Sequence, residues 1–196
     1  KGLRNVQPLF ADFEFGGLAI AHNGNLTNSL AVRERLVKRG SIFQSTSDTE
    51  TFIHLIATSL YEKIVDRLID AVRQVEGAYS LVVMTQKKLI GVRDPLGVRP
   101  LVLGKLNDAY ILSSETVGLD IVGAEFIRDV EPGEIVEITD DGLRSIKPFK
   151  PQKSRFCIFE HVYFARPDSI VEGTSVYDVR KHIGRELARE SAVDAD

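Results

Sequence analysis

The stretch Gly77-Ala78-Tyr79-Ser80-Leu81-Val82-Val83-Met84 decides the fold. Tyr79, Leu81 and Val83 alternate with Ala78, Val82 and Met84, so a strand of period two carries apolar side chains on both sides. A strand of that kind is expected to be covered on both faces. Just before it, Ile64, Val65, Leu68, Ile69, Val72 and Val75 recur at helical spacing and predict a helix from about Lys63 to Glu76, ended by Gly77. After it come alternating runs at 89–93, 101–105, 109–113, 125–130, 134–139 and 143–147, separated by turn residues such as Pro95-Leu96-Gly97, Asn107-Asp108, Pro132-Gly133 and Asp140-Asp141-Gly142. Connections this short make antiparallel pairs, because a parallel crossover needs about a dozen residues. Helices followed by antiparallel strands give an α+β layered sandwich.

Upstream, residues 17–22 (GLAIAH) read as a strand with Gly17, Ala19 and Ala21 on one face and Leu18 and Ile20 on the other. A turn is expected at Asn23-Gly24, then a helix starting near Thr27 or Asn28, with Leu30, Val32, Leu36 and Val37 inward and Gly40 as its C-terminal cap. Ser47-Asp48-Thr49-Glu50 fits a capping box at the head of another helix, which would turn Phe52, Ile53, Ile56 and Leu60 inward. Downstream, Pro148 to Lys153 reads as a boundary, dividing 1–152 from 153–196. Phe156 to Phe164 then resumes a strand pattern. Val176, Val179, Ile183 and Leu187 form a helical stripe with Arg180, Lys181, Arg185 and Arg189 on exposed sides.

The 196 residues are 43% hydrophobic, enough for one core and part of a second. A net charge of -3, from 25 basic and 28 acidic residues, argues against nonspecific nucleic-acid binding. No apolar run approaches the roughly 20 residues of a membrane span. The lone Cys157 excludes an internal disulfide framework and points to a reducing compartment, so a cytoplasmic location is expected. The chain begins at Lys1 without a signal-peptide pattern and ends at Asp196 without a helix stop, so a piece of a longer polypeptide is expected.

Phosphate-loop, dinucleotide, zinc-protease and serine-hydrolase motifs are missing, and His22, His54, His161 and His182 have no metal-ligand spacing. Four features carry candidate chemistry. Asn23-Gly24 reads first as a structural turn; alternatively a side-chain NH2 and a neighbouring glycine N–H converge on one developing oxyanion. Asp48 reads first as an acid favouring a helix N-terminus, and alternatively as the counter-charge for a substrate ammonium. Arg93, Asp94 and Arg99, around Pro95 and Gly97, are expected to pair and fix a rigid turn. Cys157, among Phe156, Ile158 and Phe159, reads as a small buried hydrophobe.

In this order, RNVQPLF (4–10), HNGNLTN (22–28), STSDTE (45–50), GAYSLVVM (77–84), GVRDPLGVRPLVLG (91–104) and SSET (113–116) resemble the class II, N-terminal-nucleophile glutaminase domain. FEHVYFARPDS (159–169) and SVYDVRKHIGRELA (175–188) are similar to the junction in the amidophosphoribosyltransferase family. The resemblance implies a four-layer αββα sandwich, followed by the start of an α/β phosphoribosyltransferase domain. It also implies release of ammonia from glutamine and its transfer to phosphoribosyl pyrophosphate, giving phosphoribosylamine for purine synthesis. On it, Asn23 and Gly24 match the oxyanion-hole pair and Asp48 the carboxylate holding the glutamine α-ammonium.

An amino-terminal Cys nucleophile, whose α-amine serves as general base, has no counterpart here, and Lys1 is no substitute. The arginine that grips the glutamine carboxylate would lie upstream and the phosphoribosyltransferase core, with its Mg2+, downstream. The chain alone is therefore expected to be inactive. Some family members hold an iron–sulfur cluster through four cysteines, one at the position resembling Cys157; others have the Cys and no cluster. A homo-oligomer is expected of the full-length parent. Other class II amidotransferases, such as glucosamine-6-phosphate synthase, and a noncatalytic module keeping the fold are the competing readings.

Overall fold

In the computed structural model, which describes residues 2–193, the chain divides by its internal contacts into two units. One comprises Lys1–Arg99 with Val130–Arg155, the other Pro100–Asp129 with Phe156–Asp196. The chain passes between the units at 99/100, 129/130 and 155/156.

The first unit is built on one antiparallel sheet of six strands. Its strands are β1 (Leu9–Phe13), β2 (Gly16–Leu26), β3 (Gly77–Thr85), β4 (Leu89–Arg93), β8 (Ile135–Thr139) and β9 (Gly142–Ile146), in that spatial order. Three helices, α1 (Ser29–Lys38), α2 (Thr49–Thr58) and α3 (Ile64–Val72), share a core with it. Leu18 and Ile20 of β2, Tyr79, Leu81 and Val83 of β3, and Ile90 and Val92 of β4 meet Val32, Leu36, Phe52, Leu55, Ile56, Leu68 and Val72. Each such fully buried side chain contributes about 1.5–3 kcal/mol of apolar transfer free energy. Here the α+β class follows as the sequence predicts, with one helix layer and one sheet in this unit. The other face of β3 is only partly covered: Ser80 is buried, whereas Met84 is 56% exposed.

Several local expectations change. The Asn23-Gly24 pair makes no turn, because β2 continues to Leu26 and stays in register with β3 as far as Leu26↔Gly77. In α1 only Val32 and Leu36 are buried, and Leu30 and Val37 face solvent. The capping box does not form. Asp48 is the N-cap of α2, and Glu50 instead accepts Gln44 N, Ser45 N and Ser45 Oγ, each at 2.7 Å, clamping the loop before the helix. Leu60 falls beyond α2 and is exposed.

In the second unit, β5 (Val102–Leu106) pairs antiparallel with β6 (Ala109–Ser113) and β7 (Glu125–Asp129). A short α4 (Thr116–Val122) buries Val117 and Leu119. The strand expected over 156–164 is instead a π-helical turn, Glu160–Phe164, in which Ala165 N reaches Glu160 O at 3.0 Å. A hairpin of β10 (Ile170–Val171) and β11 (Thr174–Ser175) leads into α5 (Val176–Glu190), capped by Ser175 Oγ accepting Asp178 N. On α5, Arg180 is engaged rather than solvated: its guanidinium donates to His161 O and Ala165 O. Ile183 and Leu187, expected inward, are largely exposed.

Candidate active site

Backbone alternation explains the site at the end of β2. In an antiparallel pair, successive residues aim their N–H and C=O groups to opposite edges. His22 aims both at Gln7, whose Oε1 accepts His22 N and whose Nε2 donates to His22 O at 3.0 Å. Two residues on, the Gly24 N–H points to the same edge, and two further on Leu26 N donates to Asp48 Oδ2 at 3.0 Å. β1 pairs with β2 only as far as Ile20, so among the described residues no strand pairs with this edge at Gly24.

Gly24 is required by close approach. Its φ is +151°, and a Cβ there would lie 2.0 Å from Ala78 O and 2.9 Å from His22 Nε2. Asn23, paired in register with Ser80, accepts a 2.7 Å hydrogen bond at Oδ1 from the Arg99 guanidinium.

Asp48 contacts residues on both sides of the Asn23-Gly24 pair, since its Oδ1 also lies 3.4 Å from His22 Nδ1. Partial burial alone pushes its carboxyl up, but the hydrogen bonds and charge of His22 and the Leu26 N–H outweigh this and hold it below the ordinary carboxylate range. His22 is itself packed edge-on to Phe52, with ring centroids 5.6 Å apart. Asp48 opens on a cleft of about 270 Å³ lined also by Asn25, Ser29, Arg33, Thr46 and Ser47.

Hydrogen bonds to main-chain groups tie the 93–99 turn together. Arg93, 1% exposed, donates to the carbonyls of Arg99, Gly97 and Val130 at 2.8, 3.1 and 2.8 Å. The Asp94 carboxylate accepts the main-chain N–H groups of Leu96, Val98 and Arg99.

Asn23, Gly24, Asp48 and Arg99 are therefore brought together at one strand end, and Arg93 and Asp94 brace the last of them. Cys157 lies in the second unit, half-buried. Lys1 is outside the described residues. Sequence reasoning missed Gln7, His22 and Arg33. Gln7 and His22 stand inside quoted motifs, RNVQPLF and HNGNLTN, and that position was their signal. Arg33 looks like an ordinary exposed helix residue, yet it donates to Ser45 O at 2.9 Å on the cleft wall. Among the described residues no group of three or more His, Cys, Asp or Glu is placed to hold a metal ion. No helix among them is long and apolar enough to cross a membrane.

Residues 3–120 match the family model described as glutamine amidotransferase domain. The chain is 59% identical over 199 residues to an amidophosphoribosyltransferase of Rhizobium etli, covering 99% of this chain and 40% of that protein. It is 44% identical over 196 residues to the amidophosphoribosyltransferase of Bacillus subtilis, covering all of this chain and 41% of the relative. It thus spans about 40% of the length of these curated relatives. A solved structure of the B. subtilis glutamine phosphoribosylpyrophosphate amidotransferase, complexed with ADP and GMP, superposes with a TM-score of 0.96 at 43% identity. It covers all of this chain and 43% of that one.

Proposed function

Because the chain belongs to the glutamine amidotransferase domain family, we propose that it forms the glutamine site of an amidophosphoribosyltransferase. The full-length protein would release ammonia from glutamine and pass it to phosphoribosyl pyrophosphate, giving phosphoribosylamine. The observation that carries this reading is the shared edge of β2, on which the Gly24 N–H stands two residues from the Leu26 N–H that binds Asp48. A strand rise of about 3.4 Å per residue separates these N–H groups by roughly 7 Å. That span suits a glutamine laid along the edge, its α-ammonium at Asp48 and its amide oxygen at Gly24.

Attack on the amide carbon places negative charge on that oxygen. The Gly24 N–H and the Asn23 NH2 supply two preformed donors, while the ionised Asp48 holds the opposite end of the substrate. Collapse of the tetrahedral adduct expels ammonia, and water then hydrolyses the acyl group. The nucleophile and the carboxylate-gripping arginine are assigned to residues outside this chain, as are the Mg2+ site of the transferase half and any cluster. On this reading 1–152 serves glutamine, and 153–196 begins the transferase part. Whole-chain similarity to amidophosphoribosyltransferases favours this over glucosamine-6-phosphate synthase or a noncatalytic module. The reading extends to a homo-oligomeric assembly, on the resemblance, and to a cytoplasmic location, on the lone Cys157.

Replacing Asn23 by Ala in the full-length protein tests the reading. Glutamine-dependent turnover should fall about 10²–10³-fold while ammonia-dependent synthesis survives; equal loss of both would make Asn23 a folding residue instead.

A further inference from the structure

Resting on the reading of Asn23 as an oxyanion donor, the geometry points to Arg99 as the positioning residue that decides which end of the Asn23 amide faces the reacting atoms. The two ends of a side-chain amide are alike in shape and opposite in polarity. Flipped, Asn23 would turn its carbonyl oxygen toward the developing oxyanion and repel it. A guanidinium carries donors and no acceptor, so it can hydrogen-bond the amide only through the oxygen. Arg99 Nη2 does so at 2.7 Å, across 76 positions of sequence, which selects the orientation with the NH2 turned away from the cation.

Arg99 is well braced for this duty. Its main-chain N–H donates to Asp94 Oδ2 at 3.2 Å, and its carbonyl accepts Arg93 Nε at 2.8 Å and Ser80 Oγ at 3.3 Å. Ser80 is the residue opposite Asn23 in the β2–β3 register. One strand pair therefore carries the amide and also anchors the backbone of the residue that orients it. The 93–99 turn acts as a bracket whose product is the placement of one guanidinium. The Arg99 cation against Asn23 Oδ1 also polarises the amide so that its NH2 becomes a stronger donor.

Four forms of the full-length protein test this: Asn23→Ala, Arg99→Ala, Arg99→Lys and the Asn23→Ala/Arg99→Ala double variant. Glutamine-dependent kcat, glutamine KM and ammonia-dependent synthesis are measured for each. Arg99→Ala should lower glutamine-dependent kcat about 10²-fold, with glutamine KM and ammonia-dependent synthesis unchanged. Arg99→Lys, which keeps a cationic donor, should retain more turnover than Arg99→Ala. The double variant should be no slower than Asn23→Ala, because an amide that is gone needs no orienting. Normal glutamine turnover in Arg99→Ala beside a slow Asn23→Ala would overturn the assignment and leave the oxyanion reading intact, as would losses that multiply in the double variant. Loss of ammonia-dependent synthesis in Arg99→Ala would overturn it in favour of fold support. Unimpaired turnover in Asn23→Ala would overturn the oxyanion reading and this assignment together.

Discussion

Asp48 Oδ2 accepts the main-chain N–H of Leu26 at 3.0 Å, which fixes the start of α2 to the edge of β2 two residues from Gly24. A carboxylate placed this way has two duties. It satisfies a strand N–H that no strand among the described residues pairs, and it keeps a negative charge facing the cleft. Both depend on its staying ionised, which His22 and Leu26 favour.

Asp48→Asn separates the duties, since the amide oxygen can still accept Leu26 N while the charge is lost. Glutamine KM in the full-length protein should rise about tenfold or more, the loss of a hydrogen bond to a charged group amounting to about 1.5–3 kcal/mol. The melting temperature should move little. An unchanged KM would remove Asp48 from the ammonium site.

Gly24→Ala should damage the fold as well as the site. The added methyl would meet Ala78 O at 2.0 Å, and a backbone oxygen paired in a sheet cannot move aside as a flexible side chain can. A destabilisation of about 3 kcal/mol or more is expected from the collision and the positive φ together. A urea midpoint like that of the unsubstituted protein would show that β2 and β3 separate more readily there than the register implies.

Glu50 predicts a pH signature. Burial pushes its carboxyl up, but hydrogen bonds from Gln44 N, Ser45 Oγ and Ser45 N, with the nearby His54, hold it below its usual value. A depressed folded-state pKa stabilises the protein above the unfolded pKa of about 4.3, and that stability is lost as pH falls through the folded value. Glu50→Gln should therefore be less stable than the parent at neutral pH by about 1–3 kcal/mol. The gap should close in acid. Paired urea titrations check it, and a gap that is the same at both pH values would contradict it.

How much of this was legible in the sequence depends on the range of the forces involved. The β3 alternation and the α3 stripe are local periodicities and are visible in the sequence, although α3 ends at Val72, short of the expected Glu76, and β3 is fully covered on one face only. Asn23-Gly24 misled because Asn-Gly usually serves a turn, whereas here the pairing with β3 carries the strand through it. The aromatic run 156–164 alternates like a strand, yet the distant Arg180 side chain captures the carbonyls of His161 and Ala165 and favours a π turn. α4 escaped notice because Gly118 interrupts a helix of only seven residues. Asn23, Gly24 and Asp48 stood out as residue types suited to a site. Their convergence rests on contacts 22 to 76 residues apart, Leu26 to Asp48 and Asn23 to Arg99, which no local pattern encodes.

The account is tested most directly by the structure of the full-length protein with glutamine bound, read as three distances. The α-nitrogen should lie about 2.7–3.2 Å from an Asp48 carboxylate oxygen. The amide oxygen should lie at similar distances from Gly24 N and Asn23 Nδ2. A glutamine whose amide oxygen sits beyond hydrogen-bonding reach of both donors, or whose α-nitrogen pairs with another carboxylate, would contradict it.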